Sequence, residues 1–209
     1  MEIIDLDSWS RKEHFEFFHR MDYPQYNICA NIDATNFLKF IKAKGLPFYY
    51  TMIFASTYAA NRVLNFRYRI RDGKVVLHDR LHPSFTEMSS KGDDLFKYVL
   101  VDMGDDMEEF IKTAKEEAEN QKSYFDFNKQ AGRDDLLYIT CVPWISFTQM
   151  THTISLSRDD SVPRISWGKY FEENGKILLP FSVQVNHALA DGIHVGRYFD
   201  ELQKYIDNL

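Results

Sequence analysis

The residues best placed to do chemistry lie near the C-terminus. Phe181, Val183 and Val185 alternate with Ser182, Gln184 and Asn186, and the next residue in apolar register is His187. A period of two marks a half-buried strand, so the spacing predicts an imidazole on the core side of a sheet, at a strand end. Four residues on stands Asp191-Gly192, after which Val195, Phe199, Leu202 and Ile206 recur at helical spacing. The strand therefore runs into a short turn and then a helix. Burial disfavours the charged imidazole, and the neutral form is what a general base must be. A lone histidine on an apolar face is ordinarily a core side chain bonded to a backbone carbonyl, so the chemical reading depends on its company. His194 has no carboxylate or cysteine at ligand spacing beside it, and no metal site is expected.

Ser10-Arg11-Lys12-Glu13 reads as a capping box opening a helix that carries Phe15, Phe17 and Phe18. Tyr26 to Ile32 is a weakly alternating strand. Asp33 then caps a helix with Phe37, Phe40 and Ile41 on one side, stopped by Gly45 and Pro47. Tyr49 to Leu64 is apolar nearly all round, the pattern of a helix buried on most of its circumference. Phe66 to Arg71 and Lys74 to His78 flank Asp72-Gly73, a hairpin dipeptide. Strands follow at Pro83 to Met88 and Leu95 to Val101, then a helix capped by Asp105 and running to about Glu119. Residues 120 to 135 show no period and read as a long excursion. Leu136 to Val142 is a strand bent by Pro143-Trp144, Ile145 to Leu156 continues extended, and Arg164 to Phe171 with Lys176 to Val185 make a second hairpin around Asn174-Gly175.

Composition bounds the function classes. With 209 residues, 44% apolar and 15% aromatic, the chain is read as a single domain over 1–209 with a sizeable core. A net charge of −6 argues against a nucleic-acid footprint. Cys29 and Cys141 stand in strand-like surroundings without CxxC or metal-ligand spacing, so reduced thiols and a cytoplasmic location are expected, with no membrane span and no signal peptide.

His187-x-x-x-Asp191-Gly192 at a strand-to-turn junction resembles the signature of the CoA-dependent acyltransferases. Further landmarks stand in family order: Trp9-Ser10-Arg11-Lys12-Glu13-His14-Phe15-Glu16, Phe48-Tyr49, His82-Pro83-Ser84-Phe85-Thr86, Pro143-Trp144-Ile145-Ser146-Phe147, Gly168-Lys169-Tyr170 and Leu179 to Val185. Over nearly its whole length the chain is similar to the chloramphenicol acetyltransferases. The resemblance implies a two-layer α/β sandwich, a mixed sheet with helices on one face, and a homotrimer with active sites between subunits. It implies transfer of acetyl from acetyl-CoA to an acceptor hydroxyl, with no metal and no nucleic-acid or membrane partner.

By the same resemblance His187 is the general base, Thr140 stands where the family has the serine that meets the oxyanion, and Ser166 where a threonine holds a water. Asp191 would pair with Arg11 to support the catalytic turn. Tyr49, Trp144, Lys169 and Tyr170 match places along the CoA channel. His187 would come from one chain; Thr140, the first helix and the acceptor pocket would come from its neighbour. That pocket, apolar in the family, would take Phe17, Phe18, Asp22, Pro24, Leu95, Lys97, Met150, His152 and Ile154 in this chain. Asp22, Lys97 and His152 would bring polar groups to it, so chloramphenicol is expected to be a poor acceptor with a raised KM. A dihydrolipoyl acyltransferase core acting on a thiol, or a non-catalytic trimeric relative, would share fold and motif.

Overall fold

The strand β10 (Lys176–Asn186) holds the molecule together, pairing along nine residues with β2 (Gln25–Asp33) on one side and with β8 (Arg164–Gly168) and the short β9 (Phe171–Glu173) on the other. In the computed structural model, which describes residues 1–209, it belongs to a seven-stranded sheet. With β5 (His82–Met88), β6 (Phe96–Leu100) and β7 (Leu136–Val142), the order is β2-β10-β8-β7-β5-β6. The β8/β7 and β7/β5 pairs are parallel and the others antiparallel, so the sheet is mixed.

One face of the sheet is covered by α2 (Thr35–Lys44), α3 (Phe48–Arg62), α4 (Met107–Asn120) and α6 (Gly192–Asp207). Phe54, Phe85, Phe110, Trp167, Phe181 and Tyr198 are among the side chains that fill the layer between. The apolar girth of α3 has the expected consequence: every residue from Thr51 to Ala60 except Tyr58 is buried. A second cluster joins α1 (Lys12–Phe18) to a three-stranded sheet of β1 (Glu2–Ile3), β3 (Tyr68–Arg71) and β4 (Lys74–Leu77). Phe15, Tyr68 and Val75 there pack on Ala188 and Leu189, in the turn after β10. Both hairpin dipeptides adopt positive φ, +49° and +72° at Asp72-Gly73 and +51° and +76° at Asn174-Gly175.

Several sequence expectations are corrected. β10 is buried on both faces from Leu179 onward, not half-buried. Its polar face is covered by the segment 145–161, which makes no ladder where an extended continuation was expected. Instead that segment bonds to the polar row. Asn186 Nδ2 donates to the carbonyls of Arg158 and Asp160 at 3.3 and 3.0 Å, Gln184 Oε1 accepts from His152 N at 3.4 Å, and Asn27 Nδ2 donates to Met150 O at 2.9 Å. Ser10 forms no capping box, because a Trp9–Lys12 turn precedes the helix and Arg11 is its cap residue. α2 is capped at Ala34, with the Asp33 carboxylate accepting from Thr35 N, and α4 at Asp106, whose carboxylate accepts from Glu109 N. The excursion 120–135 contains the single-turn helix α5 (Phe127–Gln130).

Candidate active site

The turn Asn186–Asp191 is fixed from below by Arg11. Its guanidinium makes a bidentate pair with Asp191, Nη1 to Oδ2 at 2.5 Å and Nη2 to Oδ1 at 2.6 Å. It also donates from Nε to Ala188 O and from Nη2 to His187 O, at 2.9 and 2.8 Å. Arg11 is 9% exposed, so this is an almost fully desolvated cation whose donors are answered by one turn of chain. The Arg11 guanidinium holds the Asp191 carboxyl below its ordinary value. The pair therefore stabilises the fold fully above the ordinary carboxylate value of 3.8, and that contribution is lost as pH falls through the lower folded value. Acid titration of stability should show this loss in wild type and not in Arg11→Val. The helix α6 begins at this same aspartate, and His194 Nδ1 accepts from Asp191 N at 2.8 Å. His194 is thus a capping residue.

His187 rests between two rings. Phe18 stacks on it with centroids 3.8 Å apart and planes 7° from parallel, and Tyr26 lies at 4.6 Å. Its Nδ1 is sealed and 3.1 Å from Asp191 Oδ1, but off the direction a hydrogen bond needs, leaving Nδ1 without a partner. Nε2 is the open nitrogen. The core-side placement read from alternation is only partly met, since the side chain retains 33% exposure. The first helix also lies on the wrong side of the expected division between chains. Arg11 binds α1 to the His187 turn, so Phe18 stands over the imidazole of its own chain, while Phe17 is exposed beside it.

Elsewhere the sheet opens. The β5/β7 ladder stops at Phe85–Ile139, whereas β5 stays with β6 as far as Met88–Phe96 and β7 with β8 as far as Val142–Gly168. The two middle strands part just beyond Thr86 and Thr140, whose Oγ1 atoms are 2.8 Å apart. The carbonyl of Thr86, released from the ladder, accepts from the Tyr49 hydroxyl on α3. Burial pushes the Tyr49 phenol well above its ordinary value, so it remains a donor. A cavity of about 860 Å³ fills the fork. Its walls come from both faces of the sheet, Tyr49 and Trp167 from the helix side and Thr86, Thr140 and Tyr138 from the other.

Tyr49, Trp144, Lys169 and Tyr170 all line this cavity. Gly168 explains how the last three meet. A Cβ there would lie 2.5 Å from Ile145 O, so only glycine lets the 145–147 segment cross β8. The crossing is closed by Lys169 N to Ile145 O at 2.8 Å and Ser146 Oγ to Lys169 O at 2.6 Å. Cys141 is also in the wall, and burial pushes its thiol up to about 12, so it stays protonated.

The expected acceptor set divides. Met150 and His152 line the cavity; Phe17, Phe18, Asp22, Pro24, Leu95, Lys97 and Ile154 do not. Lys97 alternates with Phe96 and Tyr98, which do line it, and its Nζ turns to the far face and the carbonyls of Ala118 and Gln121. Asp22 is exposed and pairs with Arg158 at 3.3 Å. Leu95 is exposed, in the turn before β6. Ser166 has no exposed surface and its hydroxyl is 3.0 Å from His152 Nε2, so His152 stands between it and the cavity.

Two lining residues were not legible as functional. Thr86 had only its place in a family landmark to mark it, and Glu87 none. Burial raises the Glu87 carboxyl, and Tyr50 donates to its Oε2 at 3.0 Å.

Thr140 and His187 do not meet within one chain. Thr140, Ser166 and Ser182 form one row across three strands, and His187 is five residues further along β10. At 3.3 Å per residue and 4.8 Å per strand the two lie about 19 Å apart.

This layering of a mixed sheet under helices matches a solved chloramphenicol acetyltransferase with a TM-score of 0.90, at 25% identity over 98% of this chain and 99% of that one. A dihydrolipoamide acetyltransferase of Azotobacter vinelandii overlays at 0.73 over 94% of this chain and 86% of that one, a likeness of fold alone at 15% identity. The architecture is that of the CoA-dependent acyltransferases. The family model for chloramphenicol acetyltransferase matches residues 1–203. Chloramphenicol acetyltransferases of Clostridium perfringens and Proteus mirabilis are 33% and 30% identical over 99% and 98% of this chain, and over 94% of their own lengths. The chain belongs to the chloramphenicol acetyltransferase family. No helix in it is long and apolar enough to cross a membrane.

Proposed function

We propose that this chain is a single acyltransferase domain that transfers acetyl from acetyl-CoA to a hydroxyl, with chloramphenicol as nominal acceptor, in a homotrimer whose sites are completed between subunits. The fork in the sheet is the observation that carries this reading. It provides a passage walled by Tyr49, Trp144 and Tyr170, of the kind an extended pantetheine needs, with Lys169 available to a phosphate, and it brings the thioester to Thr140. His187 of one subunit, through Nε2, takes the proton of the acceptor hydroxyl as its oxygen attacks the thioester carbonyl. Thr140 of the neighbour donates to the oxyanion. The CoA thiolate leaves as the carbonyl re-forms and receives the proton held by His187. Asp191 has both oxygens bonded to Arg11, so it orients the turn without taking part in proton transfer. The separation of about 19 Å between Thr140 and His187 is the reason a second copy is required.

Thr86 follows as a positioning residue. If its hydroxyl donates to Thr140 Oγ1, the Thr140 proton is left free to face the cavity. Thr86→Val should lower kcat about tenfold or more with little change in either KM, and Thr86→Ser should restore it. Equal kcat in wild type and Thr86→Val would remove the residue from the account.

The reading is tested by mixing the protein with acetyl-CoA and a thiol reporter. CoA released only on adding chloramphenicol supports it. Release only with dihydrolipoamide would assign the chain to thiol acyl transfer, and no release with either would leave a binding protein.

A further inference from the structure

His152 is a polar group on a wall that the resemblance makes apolar, and the structure fixes which of its nitrogens is free. Ser166 is completely buried, and its hydroxyl has a single partner, His152 Nε2 at 3.0 Å. Were Nε2 to carry the hydrogen, the serine proton would be left buried without an acceptor, which folded chains avoid. Ser166 therefore donates to Nε2, and a neutral ring must carry its proton on Nδ1. The ring is neutral because burial, and next the Arg164 guanidinium, push its pKa down to about 4. Nδ1 has no partner in the fold and is not among the sealed polar atoms, while the residue lines the cavity. Its backbone is held by Gln184, and its serine anchor is the ladder neighbour of Thr140. The imidazole is thus a pre-oriented donor next to the reacting centre.

Resting on the acetyl-transfer reading above, we propose that the acyl end of the acceptor lies against His152 and that His152 is a specificity-determining residue donating from Nδ1–H to an oxygen there, so that an ether oxygen at that end is favoured over the dichloromethyl group of chloramphenicol. A site built to give a hydrogen bond discriminates strongly against a ligand that cannot receive it, because its own polar group is then left unpaired.

The test compares chloramphenicol with its N-methoxyacetyl analogue, which keeps the same hydroxyls and exchanges the dichloromethyl group for a methoxymethyl. Dissociation constants are measured by calorimetry in the presence of CoA, so the result does not depend on turnover. Wild type should bind the methoxyacetyl compound about tenfold or more tightly than chloramphenicol. His152→Leu should reverse the order, and His152→Gln, which keeps a donor, should retain it. Nitrogen-15 NMR of the wild-type ring should show hydrogen on Nδ1. The same preference in wild type and His152→Leu, or hydrogen on Nε2, would overturn the inference while leaving acetyl transfer standing. Selective binding without CoA release in the thiol assay would retain the inference and remove the acetyl-transfer reading.

Discussion

Replacing His187 with alanine should leave the chain folded and reduce kcat for acetyl transfer by about 10²–10⁴-fold, the usual worth of a general base. The expectation of an intact fold follows from burial. The side chain is one-third exposed and its stabilising contacts are the Phe18 stack and the tilted Tyr26 ring, whereas the turn itself is held by Arg11 through backbone carbonyls that alanine also possesses. The KM for acetyl-CoA should be unchanged, because Tyr49, Trp144, Lys169 and Tyr170 line a cavity to which no residue of this turn contributes. A variant retaining more than about a tenth of wild-type kcat would take His187 out of the mechanism.

Arg11→Val should lose stability and activity together. The substitution removes four donated bonds and leaves Asp191 facing the catalytic turn without its cation. Breaking a buried pair from one side costs about 3–5 kcal/mol, which for a chain of this size lowers Tm by about 6–20 °C. Valine also frees the carbonyl of His187, so the imidazole loses its fixed approach and kcat should fall at temperatures where the variant is still folded. Arg11→Lys should recover part of the stability and less of the activity, because an ammonium cannot span Asp191 and two carbonyls at once. Wild-type Tm in Arg11→Val would contradict the placement of this pair.

Local chemistry made much of this legible. The alternation in β10, the Asp72-Gly73 and Asn174-Gly175 turns and the all-round apolar α3 state their structure within a few residues, and the register of β10 delivered His187 to a strand end. What local pattern misses depends on contacts distant in sequence. Ser10 could not reveal that Arg11 would be drawn to a turn 180 residues away, which sets where α1 begins. The resemblance puts Lys97 in the acceptor wall, but the pleat of β6 turns it to the far face, where the carbonyls of Ala118 in α4 and Gln121 just after it take its ammonium. The expected weakness towards chloramphenicol therefore rests on His152 alone among the three polar substitutions. Nor could periodicity show the fork, since β5 and β7 each read as ordinary strands and part only because each follows a different outer neighbour.

The central claim is that the site is completed between copies, with His187 from one and Thr140 from the next. Its most direct measurement is the acetyltransferase activity of trimers reassembled from equal amounts of His187→Ala and Thr140→Ala chains. Each parent should be nearly inactive, since an oxyanion donor is worth about 10²–10³-fold. In a cyclic trimer with random mixing, about one interface in four combines an intact His187 with an intact Thr140, so the mixture should recover about a quarter of wild-type activity. Activity no greater than the mean of the two parents would contradict the account.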